Sequence, residues 1–249
     1  MTPRPLDVLS DGLRLDAGIE VPEDPRGVAV LLHGIPSVAP PDPADEGYPG
    51  LARRFAERGW AAAWGDMRSV RRSPGYFSIE GWVADAGAIV AAARAAAPVD
   101  GPVVLVGSSA GGAVSTEAVR RGAPVDAVVL LAAPAAWLSF AADPASGVVR
   151  VTSDAGMQLA PETLEDPALW AEEFERVTTE ISIAEVSVPV LIVHGTADDV
   201  VPVDHATRIA SAAPGARLEV IEGAGHQLRR DDRAVELVLA WLDETFPPA

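Results

Sequence analysis

A serine stands at the centre of the run Gly107-Ser108-Ser109-Ala110-Gly111, between an apolar stretch, Val103–Val106, and a helical pattern over Gly112–Arg121. The small residues favour a sharp turn that holds the serine hydroxyl out of a strand end, beside the N-terminus of a helix. A serine hydroxyl becomes an effective nucleophile only when a neighbouring base accepts its proton. We therefore predict that Ser109 is a nucleophile and that a base lies elsewhere in the chain.

The candidate bases are the four histidines of the chain: His33, His194, His205 and His226. His33 and His194 each end an apolar run, and we interpret His33 as structural. His205 lies in a helical pattern among charged residues, which predicts a solvent-exposed side chain. His226 lies in a glycine-flanked loop between the last predicted strand and the last predicted helix, where a base can move between nucleophile and leaving group. His226 also comes after Ser109 in the chain, as the order of serine, acid and histidine requires. The sequence therefore favours His226 as the base.

An acidic residue is expected to accompany the base, because a carboxylate selects its tautomer and stabilises its protonated form. Asp198 and Asp199 both follow the apolar strand Val188–His194 closely. Their position after a strand end suits this role equally well, so the residues by themselves leave both candidates open.

These features resemble the α/β-hydrolase superfamily, in particular its serine esterase and dienelactone-hydrolase-like members. In that family the acid falls in a pattern similar to His-Gly-x-x-Asp-x-x-Val-Pro, which His194–Pro202 matches. The resemblance implies a Ser-Asp-His triad with Asp198 as the acid and Asp199 outside it. Some members carry the acid one strand earlier, which points to Asp143. The resemblance extends from Asp11 to near the C-terminus.

A tetrahedral intermediate needs hydrogen-bond donors for its oxyanion. One predicted donor is the backbone N–H of Ala110, directly after the nucleophile. The other is the N–H of Ile35, in the loop after His33. Relatives often carry a further glycine in this loop, whereas this chain has Pro36, which has no N–H to donate.

The predicted fold class is α/β. Apolar runs without a polar face predict strands covered on both sides, as in a parallel sheet. They are Gly27–His33, Gly101–Gly107, Val125–Ala132 and Val188–His194, with weaker examples at Trp60–Asp66 and Arg217–Ile221. Alternation around Asp11-Gly12 predicts an N-terminal antiparallel hairpin. Together with the resemblance, the patterns imply an α/β-hydrolase fold: a mostly parallel eight-stranded sheet with helices on both faces.

One α/β-hydrolase domain is expected over residues 1–249, with a small cap-like insertion over residues 135–187, between the strands near 132 and 188. A featureless loop of about 50 residues is uncommon, so short helices or turns are expected there. The apolar side chains of the insertion are predicted to shape the substrate pocket, although core packing explains each equally well. They are Trp137, Leu138, Phe140, Met157 and Trp170.

Composition narrows the expected partners. The chain has 249 residues, 49% of them apolar, and no cysteine, which excludes disulfides and a thiol nucleophile. A formal net charge of −17 argues against nucleic acid and anionic membranes as partners. No apolar stretch reaches the ~18 residues of a membrane span, and the N-terminus has no signal-peptide pattern. A cytoplasmic monomer or homodimer is expected, without metal or cofactor.

The predicted function is a serine hydrolase that cleaves carboxylic esters of small or medium size through an acyl-enzyme, with a small-molecule ester as substrate. Peptidases, thioesterases, lactonases and carbon–carbon bond hydrolases use the same triad, because fold and triad do not determine the substrate. Acyl transfer to an alcohol or to peroxide is a further alternative. A non-catalytic ligand-binding module on the same fold is the alternative from another class.

Overall fold

An eight-stranded sheet forms the centre of the computed structural model, which describes residues 3–37, 42–137 and 154–248. Its strands, together with two that pair separately, are β1 (Arg4–Pro5), β2 (Val8–Ser10), β3 (Leu13–Leu15), β4 (Ala17–Glu20), β5 (Gly27–Leu32), β6 (Trp60–Gly65), β7 (Val103–Ser108), β8 (Ala127–Leu131), β9 (Val190–Gly195) and β10 (Arg217–Ile221). The order across the sheet is β1-β4-β6-β5-β7-β8-β9-β10. All neighbours from β6 to β10 are parallel, whereas β4 is antiparallel to β1 and β6. The predicted mostly parallel sheet is confirmed.

The middle strands are buried on both faces. Side chains along a strand point alternately to opposite faces. In β5, Val28, Val30 and Leu32 therefore enter one apolar cluster, and Ala29 and Leu31 enter the other. Because helices cover both clusters, these strands read in the sequence as apolar runs with no polar face.

The helices of the described residues are α1 (Gly47–Glu57), α2 (Ile79–Ala96), α3 (Ala110–Arg120), α4 (Pro161–Glu165), α5 (Pro167–Arg176), α6 (Thr179–Ser182), α7 (Asp204–Ala212) and α8 (Asp232–Thr245). Apolar residues of α1 and α8 cover one face of the sheet, and those of α2, α3 and α7 cover the other. Short 3-10 turns follow at Ile183–Glu185 and Leu228–Arg230. None of these helices is long and apolar enough to cross a membrane.

The predicted N-terminal hairpin is present, but it forms a small sheet of its own. β2 and β3 pair antiparallel about Asp11-Gly12, whose positive φ angles of 48° and 80° suit a tight turn. The chain then continues into β4, which joins the main sheet. The antiparallel part of the main sheet is therefore made by β1 and β4, while the hairpin packs against α2.

The described part of the chain between β8 and β9 consists of a short segment after β8 and of α4 to α6. Helix α4 packs on α5, α5 lies against α2, and α6 lies against α3. Aromatic rings join this part of the chain to the body of the protein. Phe174 is 4.7 Å from Trp170 and 5.1 Å from Trp137 between ring centroids, and Phe77 is 5.8 Å from Trp170. In addition, the Ser182 hydroxyl donates a hydrogen bond to Oε2 of Glu117, in α3, at 2.6 Å.

Candidate active site

Ser109, Asp198 and His226 meet at the sheet edge where β7, β9 and β10 end. Parallel strands bring their carboxyl ends to the same edge, so residues far apart in the chain become neighbours. His226 Nε2 lies 3.0 Å from Ser109 Oγ, and His226 Nδ1 lies 2.9 Å from Asp198 Oδ2. When Nδ1–H is donated to the carboxylate, Nε2 is left to accept the serine proton. The three predicted residues thus form one hydrogen-bonded relay.

The backbone at Ser109 has an uncommon conformation. Its φ of 52° and ψ of −124° lie in a region that residues with a side chain rarely adopt. The Ser109 N–H is held by the carbonyl of Leu131 at 2.8 Å. Gly111 allows α3 to begin directly against β5, because a Cβ there would lie 2.5 Å from the carbonyl oxygen of His33. The helix starts at Ala110, two residues before the predicted start.

The Asp198 side chain is buried, and each of its oxygens has partners. Oδ1 accepts the N–H groups of Val200 at 2.9 Å and Val201 at 2.8 Å. Oδ2 faces His226 Nδ1 and lies 3.3 Å from His194 Nε2. Burial raises the pKa of this carboxyl, but hydrogen bonds from the two histidines and from a backbone N–H outweigh it and hold the pKa well below its ordinary range. The carboxylate is therefore ionised throughout the neutral pH range.

The structure distinguishes the two neighbouring acids. Asp198 faces His226 Nδ1, whereas the side chain of Asp199 is exposed. The other candidate acid, Asp143, lies outside the described residues.

The other histidines occupy structural positions. His33 Nε2 accepts the N–H of Met67 at 2.9 Å, and burial lowers the pKa of His33 to about 4. His194 Nε2 lies 2.8 Å from the carbonyl oxygen of Val201. The prediction for His205 is wrong: only 4% of it is exposed, and its Nδ1 accepts the N–H of Ala135 at 3.0 Å. It lies on the face of α7 that packs into the core, so its charged sequence neighbours point elsewhere.

The loop after β5 runs directly against Ser109. A Cβ on Gly34 would lie 2.8 Å from Ser109 Cβ and 3.2 Å from the nitrogen of Ala110. Ala110 is the first residue of α3, where an N–H has no acceptor within the helix. Ile35 follows Gly34 immediately and is half-buried. Both predicted donors therefore belong to segments that border Ser109, and Pro36 comes one residue too late to interrupt them.

The predicted pocket residues divide into two groups. Trp137, Met157 and Trp170 are buried in the apolar cluster on the α2 and α3 side of the sheet. Trp137 Nε1 also donates to the carbonyl of Val177. Leu138 and Phe140 lie outside the described residues. A role of these side chains in binding substrate stays a prediction.

The structure adds residues that the sequence patterns did not single out. Tyr48, on the first turn of α1, places its hydroxyl 3.4 Å from the carbonyl oxygen of Leu32. Arg229 covers the Tyr48 ring and binds Asp45. No local pattern marks these contacts, because Asp45 and Arg229 are 184 positions apart. By contrast, the contact of His194 with Asp198 follows from their spacing of four residues across the strand end.

Comparison with known proteins assigns the chain to a family. Residues 23–177, more than half of the chain, match the hydrolase family described as serine aminopeptidase, S33. The chain belongs to this family. Residues 153–249 of this hydrolase also match the family described as TAP-like protein. The predicted membership of the α/β-hydrolase superfamily is confirmed, and the protein is a hydrolase by family.

Solved structures of similar fold cover nearly the whole hydrolase. The meta-cleavage product hydrolase from Pseudomonas fluorescens IP01 has 18% sequence identity and a TM-score of 0.69, with 96% of this chain and 97% of that chain covered. The esterase domain of a Rhodothermus marinus protein has 21% identity and a TM-score of 0.69, with coverage of 98% and 99%. At these identities the likeness establishes the α/β-hydrolase fold alone.

Curated relatives match the hydrolase over a short region. An uncharacterized protein of Mycobacterium tuberculosis and one of Mycobacterium bovis are each 43% identical over 63 residues, which is 24% of this chain. The match spans 18% of the length of these relatives.

Within residues 3–37, 42–137 and 154–248, no group of three or more His, Asp or Glu side chains is arranged to hold a metal ion.

Proposed function

We propose that the chain is a serine hydrolase that cleaves carboxylic esters of small or medium size through an acyl-enzyme. Ser109 is the nucleophile, His226 the general base and acid, and Asp198 the residue that orients His226. The observation that carries the proposal is the continuous relay of 3.0 Å and 2.9 Å from Ser109 Oγ through His226 to Asp198. A serine without this relay is a weak nucleophile.

In the proposed reaction, Ser109 Oγ attacks the ester carbonyl carbon while His226 Nε2 accepts its proton. The N–H groups of Ala110 and Ile35 bind the oxyanion. As the intermediate collapses, the bond from carbon to the alkoxy oxygen breaks, and His226 returns the proton to the leaving alcohol. Water then attacks the acyl-Ser109 carbonyl and gives its proton to His226. As this second intermediate collapses, the bond from the acyl carbon to Ser109 Oγ breaks, His226 returns the proton to Oγ, and the carboxylic acid is released.

The pocket is proposed to lie under the chain between β8 and β9. We propose residues 135–187 as a small cap-like insertion in a single domain, with the apolar residues Trp137, Leu138, Phe140, Met157 and Trp170 facing the acyl or alcohol group. Support comes from Phe77, which lies outside this insertion and whose ring contacts Trp170 and Phe174 of α5. The small-molecule ester, the monomeric or homodimeric state and the cytoplasmic location stay predictions.

Peptide hydrolysis is the second candidate, because the family match carries the description of a serine aminopeptidase. The meta-cleavage product hydrolase among the similar folds keeps carbon–carbon bond cleavage open as well. Fold likeness does not choose between these substrates. A panel of short aryl esters, thioesters, lactones and aminoacyl anilides separates them by kcat/KM. Faster cleavage of the anilides would replace the ester assignment by peptidase activity.

A fluorophosphonate probe tests the nucleophile directly. We expect covalent labelling of the wild type and of Ser108→Ala, and no labelling of Ser109→Ala. Esterase turnover should fall by at least about 10⁴-fold in Ser109→Ala, because removal of a triad nucleophile leaves only binding and the oxyanion donors. Intact mass measurement and peptide mapping identify the modified residue. If the folded wild type is not labelled, the protein is a non-catalytic binding module and the proposal fails.

A further inference from the structure

The segment that carries His226 and the segment before α1 are joined by two neighbouring arginines, the half-buried Arg229 and the more exposed Arg230, which also lies 3.7 Å from Asp45. We propose that Arg229 is a positioning residue, which holds His226 within hydrogen-bond distance of Ser109 by binding Asp45 and covering Tyr48. We call these three residues the Arg229 clamp. This inference rests on the proposed function for its kinetic test, but its geometry does not depend on the substrate.

The contact of Arg229 with Asp45 is bidentate. Nη1 lies 2.8 Å from Oδ1, and Nη2 lies 2.5 Å from Oδ2. Each side chain is 17% exposed, so solvent screens the pair much less than an ordinary surface ion pair. The hydrogen bond from Arg229 is the main reason that the pKa of Asp45 falls to about 2. The carboxylate therefore keeps its charge at any pH at which the relay works.

Arg229 also lies over an aromatic ring. Its Cζ is 5.3 Å from the centroid of Tyr48, which is a cation–π distance. The guanidinium thus binds a carboxylate through two nitrogens and an aromatic ring as well, a combination that lysine cannot reproduce. This gives the clamp a defined orientation as well as a charge contact.

Tyr48 carries the contact to the strand ends beside the nucleophile. Its hydroxyl lies 3.4 Å from the carbonyl oxygen of Leu32, the last residue of β5, and Leu32 pairs with Gly107 of β7, the strand that ends at Ser108. The next residue after Ser108 is Ser109. The clamp thus ends at the backbone that presents the nucleophile.

On the other side, the clamp begins close to His226. The N–H of Leu228 donates to the carbonyl of His226 at 2.9 Å, and Leu228 is buried. Arg229 is the next residue in the same 3-10 turn. Movement of Arg229 therefore moves the turn that directly follows the base.

The two halves of the His226 loop are held differently. Before His226, Gly223 N–H donates to the Thr196 hydroxyl and Ala197 N–H donates to the carbonyl of Ala224, both at 2.9 Å. These bonds fix the first half to the turn that carries Asp198. After His226, the strong side-chain contacts to the loop before α1 come from Arg229 and from the more exposed Arg230, which binds Asp42. We therefore assign the position of the second half mainly to the clamp.

Two substitutions at Arg229 test the clamp. Arg229→Met keeps the length of the side chain but removes the charge and the fork, and Arg229→Lys keeps the charge alone. Arg54→Met is the matched control. Arg54 also joins α1 to the C-terminal part of the chain, through Asp232 at 2.7 Å and Glu236 at 3.1 Å, but it does not contact the His226 loop.

For Arg229→Met we expect kcat for a short aryl ester to fall by about 10- to 100-fold, because a displacement of about 1 Å in a catalytic group has effects of that size. KM should stay within about twofold, since substrate contacts are not removed. Arg229→Lys should fall between this variant and the wild type. Arg54→Met should keep kcat within about twofold. Thermal unfolding of each variant is measured as well, so that kcat and KM are compared between folded proteins only.

A second readout does not depend on activity. The proton on His226 Nδ1, which is bonded to Asp198, gives a protected low-field NMR signal when the relay is formed. We expect this signal in the wild type and in Arg54→Met, and its loss or broadening in Arg229→Met. If the wild type neither hydrolyses esters nor reacts with fluorophosphonate, the proposed function fails, while this signal still tests the clamp.

Two outcomes overturn the clamp. One is an Arg229→Met protein whose kcat and Nδ1–H signal both equal those of the wild type. The other is an equal loss in Arg229→Met and Arg54→Met, which would mean that any link between α1 and the C-terminal segment has the same general effect on stability.

Discussion

Replacement of Asp198 by asparagine tests the relay most sharply, because the site determines how the new amide must point. Oδ1 of Asp198 accepts two backbone N–H groups, from Val200 and Val201. In Asp198→Asn only the amide oxygen can take that place, so the NH₂ group faces His226. Nδ1 of His226 must then accept a hydrogen bond, and its single proton moves to Nε2, which points at Ser109 at 3.0 Å.

A His226 with its proton on Nε2 cannot accept the proton of Ser109. The variant therefore loses His226 as general base. It also loses the negative charge that stabilises the imidazolium. We expect kcat to fall by about 10⁴-fold, or about 5.5 kcal/mol of transition-state stabilisation, while KM changes little. The assay is steady-state hydrolysis of a short aryl ester, together with the rate of fluorophosphonate labelling, on protein whose unfolding temperature has been measured.

Asp199→Asn is the matched control. It makes the same chemical change one residue away, at an exposed position. We expect its kcat to stay within about twofold of the wild type, as for other surface substitutions. A kcat within about tenfold of the wild type for Asp198→Asn would refute the reasoning, because the orientation of His226 would then not depend on this carboxylate.

Three further outcomes follow from single positions. Gly34→Ala should slow fluorophosphonate labelling by about tenfold or more, because its Cβ would lie 2.8 Å from Ser109 Cβ and displace the loop after β5 that holds the proposed donor Ile35; labelling at the wild-type rate would contradict this. Burial raises the pKa of Glu117, but hydrogen bonds from Arg120, Ser182 and Arg121 lower it from 4.5 to about 2. Glu117→Gln should therefore cost about 3 kcal/mol in urea unfolding at pH 7, with the difference from wild type fading as the pH falls from about 4.5 towards 2; a difference independent of pH would refute the charge argument. An NMR titration should find that His33 titrates near 4, mainly through burial. Its contribution to stability should fall as the pH drops from about 6.5 to 4, because the unfolded chain takes up the proton first.

Much of the fold could be predicted because local patterns in the sequence indicate its elements. The strands around the nucleophile are apolar on both faces, and a continuous apolar run is the direct consequence of that burial. The turn at Ser109 needs small residues on both sides, which a run of five residues displays. The order of serine, acid and histidine along the chain is likewise visible without coordinates.

Other features could not be predicted, because they depend on which surfaces of the elements pack together. Asp198 and Asp199 are adjacent, and only the turn after β9 decides that the first faces His226. His205 has charged sequence neighbours, yet it lies on the buried face of α7. The hairpin was recognisable from its turn, but its separation from the main sheet follows from packing against α2.

The kinds of element, their order, and Ser109 and His226 could therefore be predicted from the sequence, which left Asp198 and Asp199 open as the acid until the family resemblance pointed to Asp198. The tertiary structure alone decided the distances within the relay, the orientation of each carboxylate and the meeting of Arg229 with Asp45, 184 positions apart. The physical reason is that hydrophobic periodicity and turn-forming residues are properties of a few neighbouring positions. Which face of a helix is buried depends instead on the whole sheet against which the helices pack. The same packing brings together ion pairs between distant residues.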